Sequence, residues 1–391
     1  MTPERPRAGD VGAKGTGSIR VGLVGAGLIG GVHSSVLVQL AKVAGLPIEL
    51  TAVADPVRER RDAFQAGFGY REAFADAHEL VAKADVDAVF VCTPTVHHAE
   101  LVHAIAERHL HLFCEKPLAM SWAEGAAMVD AVERAGIHAQ IGLVLRFSAA
   151  YAEVRRVLAD PEGGRLVGAV LRDDQCFPIR GMHGTAWRGD RTQTAGGTLI
   201  EHGVHDLDLV GWLLGPVARV RAWSRNLAGP PGVEDYVAVD LELESGVHAQ
   251  VVNVWHDMVG RSSNRRLEVF CERAYVATEA DVMLGAVAVQ RGDGSEEVVP
   301  PDQILDRFVA EQADPIASLR SGYGIAYGVQ NLEFVRALLE DRAPSPDMRA
   351  GLEAQRVAEA VYESARIGET VELAGFVPAD PRTSASSARR G

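Results

Sequence analysis

The sequence predicts an α/β protein with two parts: an N-terminal doubly wound parallel sheet, then an α+β domain with an open, mainly antiparallel sheet. Three observations predict it. The first 145 residues alternate nearly continuous apolar runs with helical patterns. After about residue 145 the pattern changes to strict alternation of apolar and polar residues, the mark of strands with one packed face. The first apolar run also passes through the turn GAGLIG straight into an apolar helical stretch.

The elements follow in order. Residues 1–18 and 376–391 are rich in Gly, Pro, Ser and charge without periodicity and read as disordered tails. Residues 19–145 hold five strand candidates, 19–25, 48–55, 86–93, 109–116 and 137–143, each a Val/Ile/Leu/Phe run suited to burial on both faces. Helical patterns such as HHAELVHAIAERH and SWAEGAAMVDAVERAG fill the gaps, and Ser121 precedes Glu124 at capping-box spacing. Residues 146–375 form the second domain. The helix GGTLIEHGVHDLDLVGWLLG comes first. Alternating strands follow in VARVRAWS, in YVAVDLELESGVHAQVVNVW with a turn at Ser245-Gly246, and in RLEVFCERAYVAT. Two helices, YGVQNLEFVRALLED and RAGLEAQRVAEAVYESA, close the chain.

Composition narrows the function classes. A chain of 391 residues predicts two domains at about 100–200 residues each. The hydrophobic share of 47% supplies a sizeable core, and no run of about 18 apolar residues predicts a membrane span. The net charge of −14 disfavours nucleic acid and anionic lipid as partners, and the short basic cluster Arg58, Arg60, Arg61 reads as a solvated helix face. Four dispersed cysteines, with no CxxC pair and no apolar leader at the N-terminus, predict reduced thiols in a cytoplasmic protein.

The turn Gly25-Ala26-Gly27-Leu28-Ile29-Gly30 lies between a strand and a helix, and the next strand ends in Asp55. That is the context a dinucleotide fingerprint requires, so the first domain reads as a Rossmann domain. Gly25 permits the tight turn, Gly27 the close approach of a pyrophosphate, and Gly30 the packing of helix on strand. The helix start at Leu28 and Ile29 offers free amides and a positive dipole end to phosphate. Asp55 accepts from the adenosine ribose hydroxyls and repels a 2′-phosphate, so NAD is the expected cofactor; Arg58 keeps NADP in play. Nearby histidines lack the spacing of a metal site, and no metal is expected.

Ligands of such sheets bind beyond the carboxyl ends of the strands. Thr93, Pro94 and His98 follow the third strand, and Glu115, Lys116 and Pro117 the fourth, so all border the nicotinamide side. For His98 a cofactor contact and a plain first-turn helix position weigh equally, while His97 reads as an exposed helix start. A Glu-Lys pair at the end of an apolar strand is hard to explain by folding alone. Partial burial and a cationic nicotinamide depress the Lys116 pKa and suit it to orient a hydroxyl. Farther on, Glu201 and His205 are four residues apart and neighbours on one helix face, with Asp208 a turn beyond; an imidazole beside a carboxylate suits proton transfer.

The ordered set GAGLIG, TPTVHHAE, EKPLA and GGTLIEHGVHDLD resembles the Gfo/Idh/MocA oxidoreductases, over nearly the whole chain. The resemblance implies a Rossmann domain followed by a substrate domain whose open sheet forms a homodimer or homotetramer interface. It implies that Lys116 contacts the reacting hydroxyl and the cofactor, that Pro117 follows a cis bond, and that His205 is the acid/base. Glu201 falls where the family has Asp, which puts its catalytic role in doubt. Arg146, Trp187 and Arg188 fall at positions near the substrate cleft. FCERAYV replaces the glycine-rich turn usual late in the substrate sheet. The specificity loops are expected within QCFPIRGMHGTAWRGDRTQT and around VWHDMVGRSSN, with Arg180, His183, Arg188 and Arg191 read mainly as a solvated face.

The expected activity is hydride transfer between a nicotinamide and a hydroxyl or ketone carbon of a sugar, cyclitol or polyol derivative, with Lys116, His205 and Glu201 as the catalytic set. Two alternatives use the same fold: glycoside cleavage through transient oxidation on tightly held NAD, and an NAD-dependent sensor. The Lys116–His205 pair argues against the sensor, which needs no proton-transfer group.

Overall fold

The computed structural model describes residues 17–179, 184–281, 284–312 and 324–379. Arg180 and His183, and nearly all of both tails, lie outside them. The first sheet has six parallel strands, β1 (Ile19–Val24), β2 (Ile48–Ala54), β3 (Glu72–Phe74), β4 (Ala88–Val91), β5 (His111–Cys114) and β6 (Ala139–Ile141), in the order 3-2-1-4-5-6. Five match the expected runs. The three-residue β3 carries too little periodicity to be read from sequence.

Helices α1 (Leu28–Lys42), α2 (Arg58–Phe68), α3 (Ala77–Lys83), α4 (His98–Glu107) and α5 (Trp122–Ala135) complete this unit. Residues alternate across the strands: Leu23, Phe90 and Phe113 join the core beneath α1, while Val24, Val89, Val91 and Leu112 join that beneath α3, α4 and α5. Both faces are covered, which is why the strands are apolar throughout. Ser121 caps α5 by accepting the Glu124 N–H at 3.3 Å, whereas the Glu124 carboxylate accepts from Met120 N–H at 2.9 Å, one residue short of the box.

The second sheet has nine strands: β7 (Leu166–Cys176), β8 (Val217–Arg225), β9 (Tyr236–Leu243), β10 (His248–His256), β11 (Asn264–Cys271), β12 (Ala274–Asp281), β13 (Leu284–Arg291), β14 (Glu296–Val299) and β15 (Val371–Glu372). Their order is 14-13-12-11-7-10-9-8-15, antiparallel throughout except for the parallel β7–β10 pair at its centre. The FCERAYV stretch makes the β11–β12 turn, where Arg165 donates to the Glu272 carboxylate. Helices α6 (Ala149–Leu158), α7 (Val204–Leu214), α8 (Pro301–Glu311), α9 (Gly324–Leu339) and α10 (Met348–Ile367) belong to this half of the chain. The inner sheet face packs on helices, whereas Val170, Trp223 and Phe270 lie exposed.

The two units are tied by the chain's return. Helix α9 packs on α1, and just before α10 the Pro346 carbonyl accepts the Ile141 N–H of β6. The loops at the strand ends of the first sheet thus meet the second unit at Glu201, through Thr95 and Lys116.

A candidate active site between the two sheets

The GAGLIG turn is shaped by backbone contacts. Gly25 has φ +97°, and a Cβ there would sit 2.5 Å from the Cys92 carbonyl oxygen; a Cβ on Gly30 would sit 2.2 Å from that of Gly25. Only glycine fits either place. At Gly27 a Cβ would meet nothing within 4 Å, so the loop leaves open space there. No side chain caps α1, and its first-turn amides at Leu28 and Ile29 lack the partners a helix interior gives. The Asp55 carboxylate accepts from Ala26 N–H at 2.9 Å and Val57 N–H at 2.8 Å, so it braces the turn while keeping lone pairs for a ribose. At the end of β4 the Thr93 hydroxyl is buried with no partner among the described residues, beside Pro94. Open space over Gly27, bare helix amides and an unpaired hydroxyl fit a dinucleotide.

Lys116 leaves β5 into a loop held on every side, and the Lys116–Pro117 bond is cis, as expected. His98, offered above as a cofactor contact, is buried instead. Its Nδ1 faces the Pro117 and Leu118 carbonyls at 3.0 and 3.3 Å, and its Nε2 faces the Thr93 carbonyl at 3.1 Å. It therefore positions the lysine loop, and burial depresses its pKa. His97 is exposed beside Glu100, as expected. Glu115 also serves the loop: its Oε2 accepts the Lys116 N–H at 3.1 Å and its Oε1 faces His33 Nε2 at 3.0 Å. Gln355 of α10 closes the clamp by bonding both the N–H and the C=O of Ala119.

Held in this way, Lys116 Nζ donates to the backbone carbonyl of Glu201 at 2.7 Å. Burial, followed by the charge of Arg188, lowers the Lys116 pKa to about 8 against the opposing pull of Glu201 and Glu115.

The helix carrying Glu201 and His205 is not regular. Residues Leu199–Gly203 form a π-helical turn before α7, wider than an α-helical one. Its entry is fixed by Glu234, whose carboxylate accepts from Gly197 N–H at 2.6 Å, Leu199 N–H at 3.1 Å and the Tyr362 hydroxyl at 2.8 Å. A Cβ on Gly197 would lie 1.9 Å from the Glu234 carbonyl oxygen, which explains the glycine in GGTLIEH.

The Glu201 carboxylate is committed to other side chains. It accepts from the Thr95 hydroxyl at 3.2 Å, the Thr194 hydroxyl at 2.5 Å and Arg188 Nε at 3.3 Å. The extra methylene thus makes it a clasp between the two units, and what it offers Lys116 is its backbone oxygen. His205 is buried, with Nδ1 unpartnered among the described residues. Burial, then the charges of Lys116 and Arg265, push its pKa well below 6.5, so the ring is neutral.

Trp187 and Arg188 reach this region together, the guanidinium 4.4 Å from the indole centroid and braced by Thr185 at 2.9 Å. Arg146 does not: it makes a two-bond ion pair with buried Asp208, at 2.9 and 2.6 Å, and so reads as a strut for α7 rather than a substrate contact. Among the described residues no three His, Cys, Asp or Glu side chains converge to hold a metal ion.

Sequence reasoning missed Asp173, Asn253, Arg265 and the role of His202. Asn253 and Arg265 stand at the inward parity of strands whose other inward residues, Val251 and Leu267, are apolar, and that misfit was a readable signal.

Residues 19–143 match the model of the oxidoreductase family with an NAD-binding Rossmann fold, and residues 151–277 match the GFO/IDH/MocA C-terminal domain. The chain belongs to the Gfo/Idh/MocA oxidoreductase family. Inositol 2-dehydrogenase of Rhizobium meliloti (strain 1021) is 28% identical over 364 residues, covering 91% of this chain and all of the relative. The scyllo-inositol 2-dehydrogenase (NAD(+)) of Bacillus subtilis (strain 168) is 26% identical over 296 residues, 73% of this chain and 80% of the relative. Among solved structures, an oxidoreductase domain protein from Kribbella flavida superposes with a TM-score of 0.81 at 25% identity, over 91% of this chain and 99% of its own. Levoglucosan dehydrogenase in complex with NADH and levoglucosan gives 0.81 at 23% identity, with the same coverage. This Gfo/Idh/MocA chain is therefore an NAD-dependent oxidoreductase, with the Rossmann and mixed-sheet architecture its sequence predicted.

Proposed function

We propose that the protein interconverts a secondary hydroxyl and a ketone on a sugar, cyclitol or polyol, holding the reacting oxygen between Lys116 and the His205 imidazole. The observation that carries this reading is the Lys116 amine, fixed against the Glu201 carbonyl at 2.7 Å and facing the His205 helix from the carboxyl end of β5. Bound NAD supplies the hydride acceptor. The chain's own part is placement. The GAGLIG turn and Thr93 receive the dinucleotide, the clamped loop aims Lys116, and the ammonium steadies negative charge growing on the hydroxyl oxygen. Names of relatives that act on inositols and levoglucosan support the substrate class.

Among the described residues no helix is long and apolar enough to cross a membrane. Cytoplasmic residence, with dimers or tetramers formed through the exposed sheet face around Val170, Trp223 and Phe270, completes the reading.

The test is near-ultraviolet absorbance of NADH on mixing the protein with NAD, or NADP, and a panel of inositols, aldoses and anhydro, deoxy and amino sugars. A substrate-dependent rise with NAD that vanishes in Lys116→Ala supports the reading. Product formed from a glycoside with no net NADH favours transient oxidation instead.

A further inference from the structure

Across the centre of the second sheet, Asp173 of β7 is flanked in register by Asn253 of β10 and Arg265 of β11. The preceding inward row is Leu171, Val251 and Leu267, all buried and apolar. The floor therefore turns polar where it passes beneath the π-helical turn. Arg265 lies between two carboxylates there, donating to Asp206 from Nε and to Asp173 from Nη2 at 3.1 Å, while Asn253 donates to Asp206 at 2.6 Å. Arg265 thus serves both carboxylates, and burial raises the Asp206 carboxyl to about 7 against the pull of Arg265.

His202 stands over this row. Its Nε2 lies 2.7 Å from Asp173 Oδ2 and 3.1 Å from Arg265 Nη2, which itself donates to the same Oδ2. Burial pushes the Asp173 pKa up, but the Arg265 and His202 charges hold it below the ordinary carboxylate value. An ionised carboxylate only accepts, and its contact at 2.7 Å is shorter than that of the Arg265 donor at 3.1 Å, which favours the hydrogen on Nε2 and the lone pair on Nδ1. No described residue bonds Nδ1, and the side chain is 16% exposed, so the lone pair is reachable.

His205 offers the opposite picture. Its Nδ1 is buried without a partner, and the charges that shift its pKa are cationic: Lys116, Arg265 and His202. A proton placed on His205 would be an unpaired charge among cations, whereas a proton on His202 has a carboxylate at 2.7 Å. Position agrees with this. The carbonyl that binds Lys116 Nζ belongs to the peptide joining Glu201 to His202, and the Lys116 charge acts on the His202 ring.

We propose that His202 Nδ1 takes the proton of the reacting hydroxyl, with Asp173 fixing the ring tautomer and pairing the imidazolium that forms. This rests on the dehydrogenase reading above. In the oxidising direction the O–H bond breaks, an N–H bond forms at Nδ1, and the carbinol C–H gives up its hydrogen with both electrons to the nicotinamide, leaving a ketone. Reduction runs the same path backwards. His205 then serves as a neutral hydrogen-bonding group on the same oxygen.

The groups acting on His202 are Asp173 from β7, Arg265 from β11 and Lys116 from the loop after β5, with Asp206 and His205 on α7 nearby. Burial, with Arg265 and Lys116, outweighs Asp173 and lowers its pKa. Oxidation is therefore expected to gain an acidic limb below the ordinary imidazole range, rising with pH as Nδ1 loses its proton.

The test combines nitrogen-15 NMR of the imidazoles in the NADH-bound protein with kinetics of His202→Gln and Asp173→Asn. The expected spectrum holds one histidine with a bare Nδ1 and a protonated Nε2 whose signals vanish in His202→Gln and whose tautomer is lost in Asp173→Asn. An Nδ1–H tautomer for His202, or a signal indifferent to Asp173→Asn, overturns the proposal; should that variant not fold, the tautomer seen against His202→Gln decides alone. In kinetics His202→Gln is expected to lose on the order of 10²-fold in kcat and the acidic limb, with NADH binding unchanged. If Lys116→Ala abolishes oxidation while His202→Gln keeps the limb, the proton assignment fails and the dehydrogenase reading stands. If no panel member is oxidised, that reading fails, and the spectrum still decides the tautomer.

Discussion

The two sides of the site are built on opposite terms. On the Rossmann side, the groups that aim Lys116 are satisfied by protein: Glu115 by His33 and the Lys116 amide, Pro117 and Leu118 by His98, and Ala119 by Gln355. On the sheet side, Tyr151 Oη, Asp173 Oδ1, His205 Nδ1, Asn253 Oδ1 and Arg265 Nη1 are buried without partners among the described residues. Leaving one such group unsatisfied costs about 1–3 kcal/mol. The difference teaches where each side does its work. The loop that aims Lys116 is complete before any ligand arrives, although the neighbouring Thr93 hydroxyl stays unpaired, whereas the sheet side keeps a cluster of unmet hydrogen-bonding groups.

The largest expected effect breaks the finished loop at its tip. Lys116→Ala should lower kcat/KM for oxidation by about 10²–10⁴-fold, with melting unchanged, as steady-state kinetics beside calorimetry would show. In the parent protein the same lysine sets the alkaline side. Its pKa is lowered to about 8, so if the ammonium form is the active one, kcat/KM should fall as pH rises through that value. A rate still climbing there would assign the free amine instead.

Arg146→Ala sharpens the contrast between strut and contact. It strands the buried Asp208 carboxylate and should cost ~3 kcal/mol of stability, read from denaturant melts, while KM for substrate stays within about twofold. A selective rise in KM would return Arg146 to the substrate cleft. Gly27→Ala probes the turn, since a Cβ there meets nothing in the protein itself. Melting should be unaffected and NADH binding weakened by about tenfold, or ~1.4 kcal/mol, in a fluorescence titration. The smallest change is expected of Glu201→Gln. Lys116 holds the backbone oxygen there, not the carboxylate, and the two hydroxyls that now donate to the carboxylate can donate to an amide oxygen while Arg188 gives up its 3.3 Å contact and keeps that with Thr185. Its kcat should stay within about threefold; a loss near that of Lys116→Ala would restore Glu201 to the chemistry.

The sequence was most legible where burial is uniform and least where function bends the chain. Strands β1, β2, β4, β5 and β6 are apolar because both faces are covered, so each run announced itself. Strand β7 escaped notice because LVGAVLRDDQC mixes an exposed valine face with the polar floor at Asp173, and it lies at the centre of its sheet. Lys116 stood out as a charge ending an apolar strand. His98 and Glu115 stood out for the same reason, yet both serve the loop that holds the lysine; sequence adjacency to a site does not separate touching from bracing. Glu201 and His205 were read as neighbours from their spacing, but in the π-helical turn at Leu199–Gly203 the Glu201 carboxylate bonds Thr95, Thr194 and Arg188, partners that no spacing shows. The same turn brings His202 over Asp173, a pairing between residues 29 positions apart that no local pattern reveals.

The most direct test of the central claim counts turnovers. With a responsive sugar or cyclitol and NAD in large excess over protein, NADH should accumulate to many equivalents per chain, at a rate proportional to the enzyme and lost in Lys116→Ala. Substrate consumed with NADH never exceeding one equivalent per chain would contradict a dehydrogenase and identify a cofactor that is retained and recycled.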